Sequence, residues 1–244
     1  MPVAEAEYAR ARLLALVPEG FEEVERDDEL ELAAYTDAHG EADIRSAFEV
    51  VSVSNVPEGW EERWREFHRP VEVTGLWVGP PWLAAPDAMP AVVIEPGLAF
   101  GTGAHPTTRA CIELLAHSER GSVLDAGCGS GVLAIAAARL GFAPVRAVDV
   151  DTAAVEATRA NAARNRVDME VERHDVLGDA LPPADLLVAN IELRVIEALL
   201  ENWAGRRAIV SGYLVAETPR APGWQRLQRR ELEGWAADLL GRTV

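Results

Sequence analysis

The residues best suited to chemistry in this sequence surround a glycine-rich turn. The turn reads Asp-Ala-Gly-Cys-Gly-Ser-Gly from Asp125 to Gly131, between an apolar run and a stretch of small and apolar residues. Glycines let a backbone pass close to a ligand, and the start of the following helix offers unpaired N–H donors. A second acid, Asp149, ends the next apolar run 22 positions after Gly127. Because an acid about 20 residues on binds ribose hydroxyls in such units, the pattern predicts a nucleotide-type cofactor at Gly127, Gly129 and Asp149.

The spacing of the glycines distinguishes between cofactors. The dinucleotide fingerprint is Gly-x-Gly-x-x-Gly, whereas here the third glycine comes one residue earlier. With Asp125 two positions ahead, the pattern resembles the first motif of Rossmann-like S-adenosylmethionine-dependent methyltransferases. In them the turn holds the methionine half of the cofactor and the second acid holds the ribose. A dinucleotide oxidoreductase, and a tight turn without any ligand, are the alternatives.

Three more polar residues are candidates for a site. Asn190 ends the apolar strand expected over Ala184–Ile191, and ligands bind at the carboxyl ends of strands in open α/β sheets. Asp175 follows a short strand and can meet an adenine amino group or simply form a turn. His105 has no companion ligand at a useful spacing, so we expect it to structure its loop and predict no metal site.

The elements that must position these residues alternate between strand and helix. They predict an α/β domain whose strands run parallel and whose helices cover the sheet. Thr107 or Thr108 is expected to cap the first helix of this domain. The expected helices cover Arg109–Ala116, Val132–Leu140, Thr152–Asn165 and Glu192–Trp203, and the expected strands cover Val123–Leu124, Val145–Val148, Met169–Val171, Ala184–Ile191, Arg207–Leu214, Trp224–Leu232 and Trp235–Leu240.

Two further segments precede this domain. The first, residues 1–57, has the order α-β-β-α-β and suggests a small α+β domain of ferredoxin-like type that serves recognition. Residues 58–90 read as a linker with a helix over Glu58–His68 and a strand over Val71–Val78, and residues 91–244 form the cofactor domain. The elements expected in the first segment are a helix over 6–17, strands over Phe21–Arg26, Glu29–Tyr35 and Val50–Val56, and a helix over Glu41–Phe48.

Charge and composition limit the partners. The chain has 244 residues, a formal net charge of −17 and no lysine, and residues 1–90 alone hold 20 acids against 7 arginines. This balance disfavours direct binding to nucleic acid and favours a basic partner. Two cysteines make no disulfide framework, and no apolar run approaches the roughly 20 residues of a membrane span. We therefore expect a cytoplasmic protein without a signal peptide or membrane contact; its oligomeric state is not predicted.

One loop carries a more specific resemblance. Residues 95–108 read Glu-Pro-Gly-Leu-Ala-Phe-Gly-Thr-Gly-Ala-His-Pro-Thr-Thr, and Asn190 lies in Val-Ala-Asn-Ile. Together with the glycine turn, these segments resemble the bacterial ribosomal protein L-eleven methyltransferases, the PrmA family. The resemblance covers roughly residues 60–215.

The resemblance implies a Rossmann-like, seven-stranded class I methyltransferase domain behind a small ferredoxin-like domain. It implies methyl transfer from S-adenosylmethionine to amino groups, the lysine side chains and N-terminal amine of a basic large-subunit ribosomal protein. Our own hypothesis for the mechanism is that Asn190 and nearby backbone carbonyls orient the amine, while bulk water takes its proton. Carried onto this chain, the cofactor contacts fall on Thr108, Gly127, Asp149 and Asn190, with Phe100, Gly101 and Thr102 forming a lid loop.

Rival functions share the same cofactor turn. Methylation of a nucleic-acid base is disfavoured because Asn190 is followed by Ile-Glu-Leu, without the prolines and aromatic of amino-directed enzymes. A methyltransferase for a small molecule or another protein stays open, as does an inactive scaffold that only binds the cofactor.

Overall fold

A computed structural model describes residues 22–26, 29–34, 36, 38–48, 51–53, 69–96, 101 and 103–243, together with residues 9, 12, 13, 16 and 17. The chain forms two compact units, Met1–Trp60 and Glu61–Val244. The helix expected over Glu58–His68 lies outside the described residues. None of the described helices is long and apolar enough to cross a membrane.

In the first unit the structure describes a hairpin, a helix and four helical residues, 9, 12, 13 and 16, which lie within the helix expected over 6–17. Strands β1 (Glu22–Arg26) and β2 (Glu29–Ala33) pair antiparallel, and helix α1 (Ala38–Ala47) follows. These elements match the sequence predictions within a few residues. Residues 51–53, the described part of the strand expected over Val50–Val56, form no regular structure. Among the described residues, β1 and β2 pair only with each other. The alternating sequence over Val50–Val56 therefore adds no third strand to this hairpin within the part of the chain that the structure describes.

The second unit is built on a seven-stranded sheet. Its strands are β6 (Val123–Ala126), β7 (Val145–Asp149), β8 (Glu170–Arg173), β9 (Leu186–Asn190), β10 (Arg207–Leu214), β11 (Trp224–Leu232) and β12 (Trp235–Arg242). They lie in the order β8-β7-β6-β9-β10-β12-β11. All strands run parallel except β12, which is antiparallel to both of its neighbours. Its helices are α2 (Pro106–Ala116), α3 (Val132–Arg139), α4 (Thr152–Asn165) and α5 (Leu193–Asn202).

A second, three-stranded sheet precedes α2. It comprises β3 (Val71–Val73), β4 (Leu76–Gly79) and β5 (Ala91–Val93). The single strand predicted over Val71–Val78 is wrong, because the chain turns back at Thr74 and Gly75, where φ is 51° and 77°. Positive φ at two successive residues makes the tight hairpin turn that suits the twist of paired strands.

Both faces of the large sheet are buried, as the near-continuous apolar composition of β6 and β9 requires. On one face α2 and α3 pack with Leu76 and Val78 of the three-stranded sheet and with Ile94, which follows β5. On the other face α5 contributes Ile196, and Trp203 follows at its end. The segment from Val71 to Ile94 therefore supplies core side chains to the second unit as well as connecting elements.

The order of strands also fixes where a ligand can bind. From β6 the chain adds β7 and β8 on one side, and then returns to add β9 and β10 on the other. The carboxyl ends of β6 and β9 therefore flank a point where the direction of winding reverses. Ligands of open α/β sheets bind in the crevice outside such a point.

Candidate active site

A cleft of about 450 Å³ opens at this reversal point. It gathers most of the residues that the sequence singled out. They are Gly101, Thr108, Gly127, Gly129, Asp149, Asp175 and Asn190. Phe100 and Thr102, predicted for the lid loop, lie outside the described residues.

The glycine turn leaves β6 along the floor of the cleft. The backbone N–H groups of Gly127 and Cys128 donate to the carbonyl of Val148 at 2.9 and 3.0 Å, which ties the turn to the end of β7. Gly127 has φ of 77°, and a Cβ there would lie 2.5 Å from Cγ2 of Ile191. No side chain fits at this position, so the backbone itself forms the wall.

Asp125 is the acid at the start of the turn, and it is 1% exposed. Its Oδ2 accepts a hydrogen bond of 2.9 Å from the backbone N–H of Ala134, in the first turn of α3. Burial raises the pKa of this carboxyl from 3.8 to about 7, the bond from Ala134 opposes the change, and the charge of Asp149 adds to it. The residue therefore changes protonation near neutral pH.

Asp149 ends β7 with both carboxylate oxygens fixed. Oδ2 accepts from the N–H of Gly129 at 3.0 Å, and Oδ1 accepts from the N–H of Asp151 at 3.0 Å. A carboxylate offers about four lone-pair positions, so acceptor capacity is left for hydroxyl groups in the cleft. The backbone bonds hold the side chain in one orientation at the place where the sequence predicted a ribose-binding acid.

Asp175 also lies in the cleft, beyond the end of β8. Its Oδ1 accepts from the N–H of Leu177 at 3.0 Å, as in an Asx turn. The turn-forming interpretation is therefore correct. The neighbouring His174 has a buried Nε2 atom that has no hydrogen-bond partner among the residues that the structure describes.

Asn190 ends β9 and reaches across to the start of α2. Its Nδ2 donates to Oγ1 of Thr107 at 3.0 Å and lies 3.4 Å from Oγ1 of Thr108. Both threonine side chains are buried, at 1% and 0% exposure. The amide is thus held by two hydroxyl groups from another element while it lines the cleft.

His105, and not Thr107 or Thr108, caps helix α2. The helix begins at Pro106, earlier than predicted, and Nδ1 of His105 accepts from the backbone N–H of Thr107 at 3.3 Å. Proline is favoured at the first helical position because it has no N–H to satisfy. The two threonines therefore fall inside the helix, which points their hydroxyl groups at Asn190. The structuring role expected for His105 is confirmed in this form.

The loop before α2 is attached to the glycine turn. Oγ of Ser130 donates to the carbonyl of Gly101 at 2.5 Å, and a Cβ on Gly101 would lie 3.0 Å from that Oγ. On the earlier side of the loop, Oδ1 of Asn161 accepts from the N–H of Glu95 at 3.0 Å, and Nδ2 of Asn161 donates to the carbonyl of Ser130 at 2.9 Å. The loop is therefore tied to Ser130 directly at Gly101 and through Asn161 at Glu95.

Sequence reasoning missed the apolar walls of the cleft. Ile191 and Val195 follow β9, and Val150, Val176 and Leu177 follow β7 and β8. Each stands a few residues beyond the carboxyl end of a strand. Extending the search past the polar residue at each strand end would have identified them.

Comparison with known proteins decides the family. The family model described as "Ribosomal protein L11 methyltransferase (PrmA)" matches residues 10–234. The chain belongs to this family. A family member from Laribacter hongkongensis is 47% identical over 154 residues, which cover 59% of this chain and 52% of that protein. Another from Janthinobacterium sp. is 34% identical over 97% of this chain and 79% of the relative.

A crystal structure of a ribosomal protein L11 methylase from Lactobacillus delbrueckii subsp. bulgaricus has the same fold as this PrmA-family chain. The TM-score is 0.64 at 26% identity, over 72% of this chain and all of that one. Among the first relatives matched, those from Laribacter hongkongensis and Dechloromonas aromatica align with this chain over about half of their own length. The α/β methyltransferase fold and the family resemblance expected from the sequence are confirmed.

Proposed function

We propose that this PrmA-family chain transfers a methyl group from S-adenosylmethionine to amino groups of a basic ribosomal protein, the counterpart of L11. The names of the relatives support the reaction and the acceptor. The observation that carries the proposal is one cleft that contains the glycine turn, Asp149 and the amide of Asn190. The first two suit a nucleoside cofactor, and the third suits an amine acceptor.

The cleft fits S-adenosylmethionine by its shape and by its donors and acceptors. The side-chain-free wall at Gly127 admits a ligand against the backbone, and the start of α3 offers N–H donors to a carboxylate. Asp149 would accept from the ribose hydroxyls, and Asp175 with the apolar Leu177 would meet the adenine. Thr108, Gly127, Gly129, Asp149, Asp175 and Asn190 are thus the proposed cofactor residues. When bound, the cofactor supplies a methyl group already activated by a sulfonium.

The protein's task is then to present a neutral amine in line with that methyl group. A lysine side chain has an ordinary pKa near 10.4, so it must lose a proton before it attacks. The carbonyl oxygen of Asn190 would accept from one N–H of the amine and orient its lone pair. The apolar walls at Ile191 and Val195 favour the uncharged form of the amine by excluding water. We propose that bulk water takes the released proton and that no side chain of the cleft serves as a dedicated base.

The acidity of the chain supports a basic protein acceptor. The net charge of −17 is concentrated in residues 1–90. We propose that residues 1–57 form a ferredoxin-like recognition domain for this acceptor, ahead of the linker and the seven-stranded class I domain. Phe100, Gly101 and Thr102 would cover the cofactor. We propose that the reaction takes place in the cytoplasm, where a ribosomal protein is available, and that the acidic charge disfavours direct contact to nucleic acid.

Transfer of radiolabelled methyl to a panel of acceptors tests the proposal. The panel holds purified ribosomal proteins, intact large subunits, RNA and a mixture of small amines. Label on the L11-type protein is expected. Label on another protein alone would move the acceptor, whereas label on RNA or small amines alone, or no label despite cofactor binding, would overturn the function.

Asn190→Ala tests the role of the amide, with Asn202→Ala at the exposed end of α5 as the matched control. Turnover should fall at least tenfold in the first variant, since a misplaced reacting group costs on the order of a hundredfold. The control should resemble the wild type. Unchanged turnover and cofactor affinity in Asn190→Ala would remove Asn190 from the mechanism.

A further inference from the structure

We infer that His105 and Thr107 act as positioning residues, which turn the amide of Asn190 so that its carbonyl oxygen faces the acceptor amine. The inference rests on the proposed methyl transfer, and it concerns residues to which no role in the reaction has been given above. The inference is based on a chain of contacts that runs from the imidazole of His105 through Thr107 to the amide of Asn190. Nδ1 of His105 lies 2.7 Å from Oγ1 of Thr107, which lies 3.0 Å from Nδ2 of Asn190.

The first step is the protonation of the imidazole. The backbone N–H of Thr107 points at Nδ1 of His105 at 3.3 Å. A backbone N–H has only a proton to offer, so Nδ1 must present its lone pair, and the ring proton must lie on Nε2. Burial also lowers the pKa of His105, against the charge of Glu233, which favours the neutral ring.

The second step is the direction of the hydroxyl group. Because Nδ1 is an acceptor, the short contact of 2.7 Å requires the Oγ1–H of Thr107 to donate to it, and the backbone N–H shares the same lone pair at its longer distance of 3.3 Å. A hydroxyl group has a single proton, so toward Asn190 this oxygen can only accept. The group facing it must therefore be the Nδ2 amino group and not the carbonyl oxygen of the amide.

The third step is what remains for the cleft. The two protons of Nδ2 are directed to Thr107 at 3.0 Å and toward Thr108 at 3.4 Å. The part of the Asn190 side chain left to the ligand is Oδ1, which only accepts. An acceptor suits the N–H of an amine, whereas an amino group turned into the cleft would face that N–H as a second donor or bind the lone pair that must attack. The tautomer of His105 thus selects the useful orientation of an amide about 85 residues away in the chain.

The surroundings of His105 hold the ring in place. Its ring packs edge-to-face on Trp235 of β12, with centroids 5.0 Å apart. Glu233, in the turn between β11 and β12, is paired with Arg109 of α2 at 2.8 Å. Since Glu233 is bound to a cation, its attraction for a proton on His105 is partly compensated.

The tautomer can be measured without any turnover. Long-range ¹H–¹⁵N correlation spectra of the wild-type protein at pH 7.5 report which ring nitrogen of each histidine carries the proton. The inference expects His105 as the neutral Nε2–H form. The Nδ1–H form or a charged ring would overturn it, whatever the protein methylates.

Kinetics test the consequence with two matched variants of Thr107. Thr107→Val removes the hydroxyl at nearly constant volume, and Thr107→Ser keeps it. In Thr107→Val the turnover number should fall about tenfold or more while the dissociation constant for S-adenosylmethionine changes less than about threefold, and Thr107→Ser should recover most of the loss. Equal turnover in the two variants would refute the positioning role.

A double variant separates positioning from general damage. Adding Thr107→Val to Asn190→Ala should cost no further turnover, because the amide that Thr107 orients is already absent. A full additional loss would show that Thr107 acts elsewhere. Absence of turnover in the wild type would instead refute the proposed function, and the tautomer measurement would still decide the geometry.

Discussion

The buried carboxyl of Asp125 should make the second unit less stable as the pH rises from about 4 to about 7. Its pKa in the folded chain is about 7, against an ordinary value of 3.8. The folded protein therefore holds this proton more tightly than the unfolded chain. The stability that results is fully present below the unfolded pKa and is lost as the pH rises through the folded one.

The perturbation is Asp125→Asn, which cannot ionise but can still accept the N–H of Ala134 that now binds Oδ2. From the two pKa values, ionisation of Asp125 lowers the folding equilibrium constant by about 1.2 powers of ten at pH 5 and by about 3.2 powers of ten at pH 8. At about 1.36 kcal/mol per factor of ten, the wild type should lose about 2.6 kcal/mol between these pH values through this group. The variant should not show this loss.

Urea unfolding at pH 5 and pH 8, followed by circular dichroism, gives the free energies. Asp185→Asn is the control, because hydrogen bonds from the hydroxyl and backbone N–H of Ser122 lower the pKa of that exposed carboxyl. A lowered pKa affects stability only in acid, so this control should follow the wild type between pH 5 and 8. If Asp125→Asn loses as much stability between pH 5 and 8 as the wild type, Asp125 is ionised in the folded protein at both pH values and the reasoning fails.

Two further predictions concern sterics and thiol reactivity. Gly212→Ala places a Cβ 2.1 Å from the carbonyl oxygen of Ile191 at φ of 113°, so it should lower the free energy of unfolding by at least about 2 kcal/mol and remove most of the turnover. Gly223→Ala, at φ of 80° with no described atom within 4 Å of the new Cβ, should lower the free energy of unfolding by about 1 kcal/mol and leave turnover unchanged. Equal melting temperatures and turnover in the two variants would contradict this. Cys111 and Cys128 are buried, and burial raises the pKa of Cys128 to about 12. Neither thiol should therefore react with a disulfide reagent at pH 8 until the chain unfolds. Rapid labelling of the native protein would contradict this prediction.

Much of the second unit was predictable because its elements are periodic and long. The glycine turn, Asp149 and Asn190 were found because each marks the end of an apolar run, and parallel strands place such ends at one edge. The hairpin at Thr74 was missed, since a threonine at positive φ carries no strong sequence signal. Pattern reasoning assigned the cap of α2 to a threonine by residue preference, although the helix begins earlier and His105 accepts the N–H of Thr107.

What periodicity cannot show is how the start of α2 is fixed in space. Residues such as Thr107 do not follow a strand of the sheet, so the sheet edge does not position them. Their anchor is His105, which packs on Trp235 near the end of the chain. That contact joins residues 130 positions apart and depends on the turn between β11 and β12.

Trp235→Ala should therefore reach the site through His105. An aromatic pair contributes about 0.5–1.5 kcal/mol beyond burial, so loosening the ring should lower turnover by roughly twofold to tenfold. Trp224→Ala is the matched control, because that indole lies on β11 and donates to the carbonyl of Leu200, at the other face of the sheet. Both variants should lose stability on thermal unfolding, but only Trp235→Ala should lose turnover at a temperature where both stay folded. Equal turnover in the two folded variants would mean that the terminal hairpin only completes the sheet and does not hold the residues that orient Asn190.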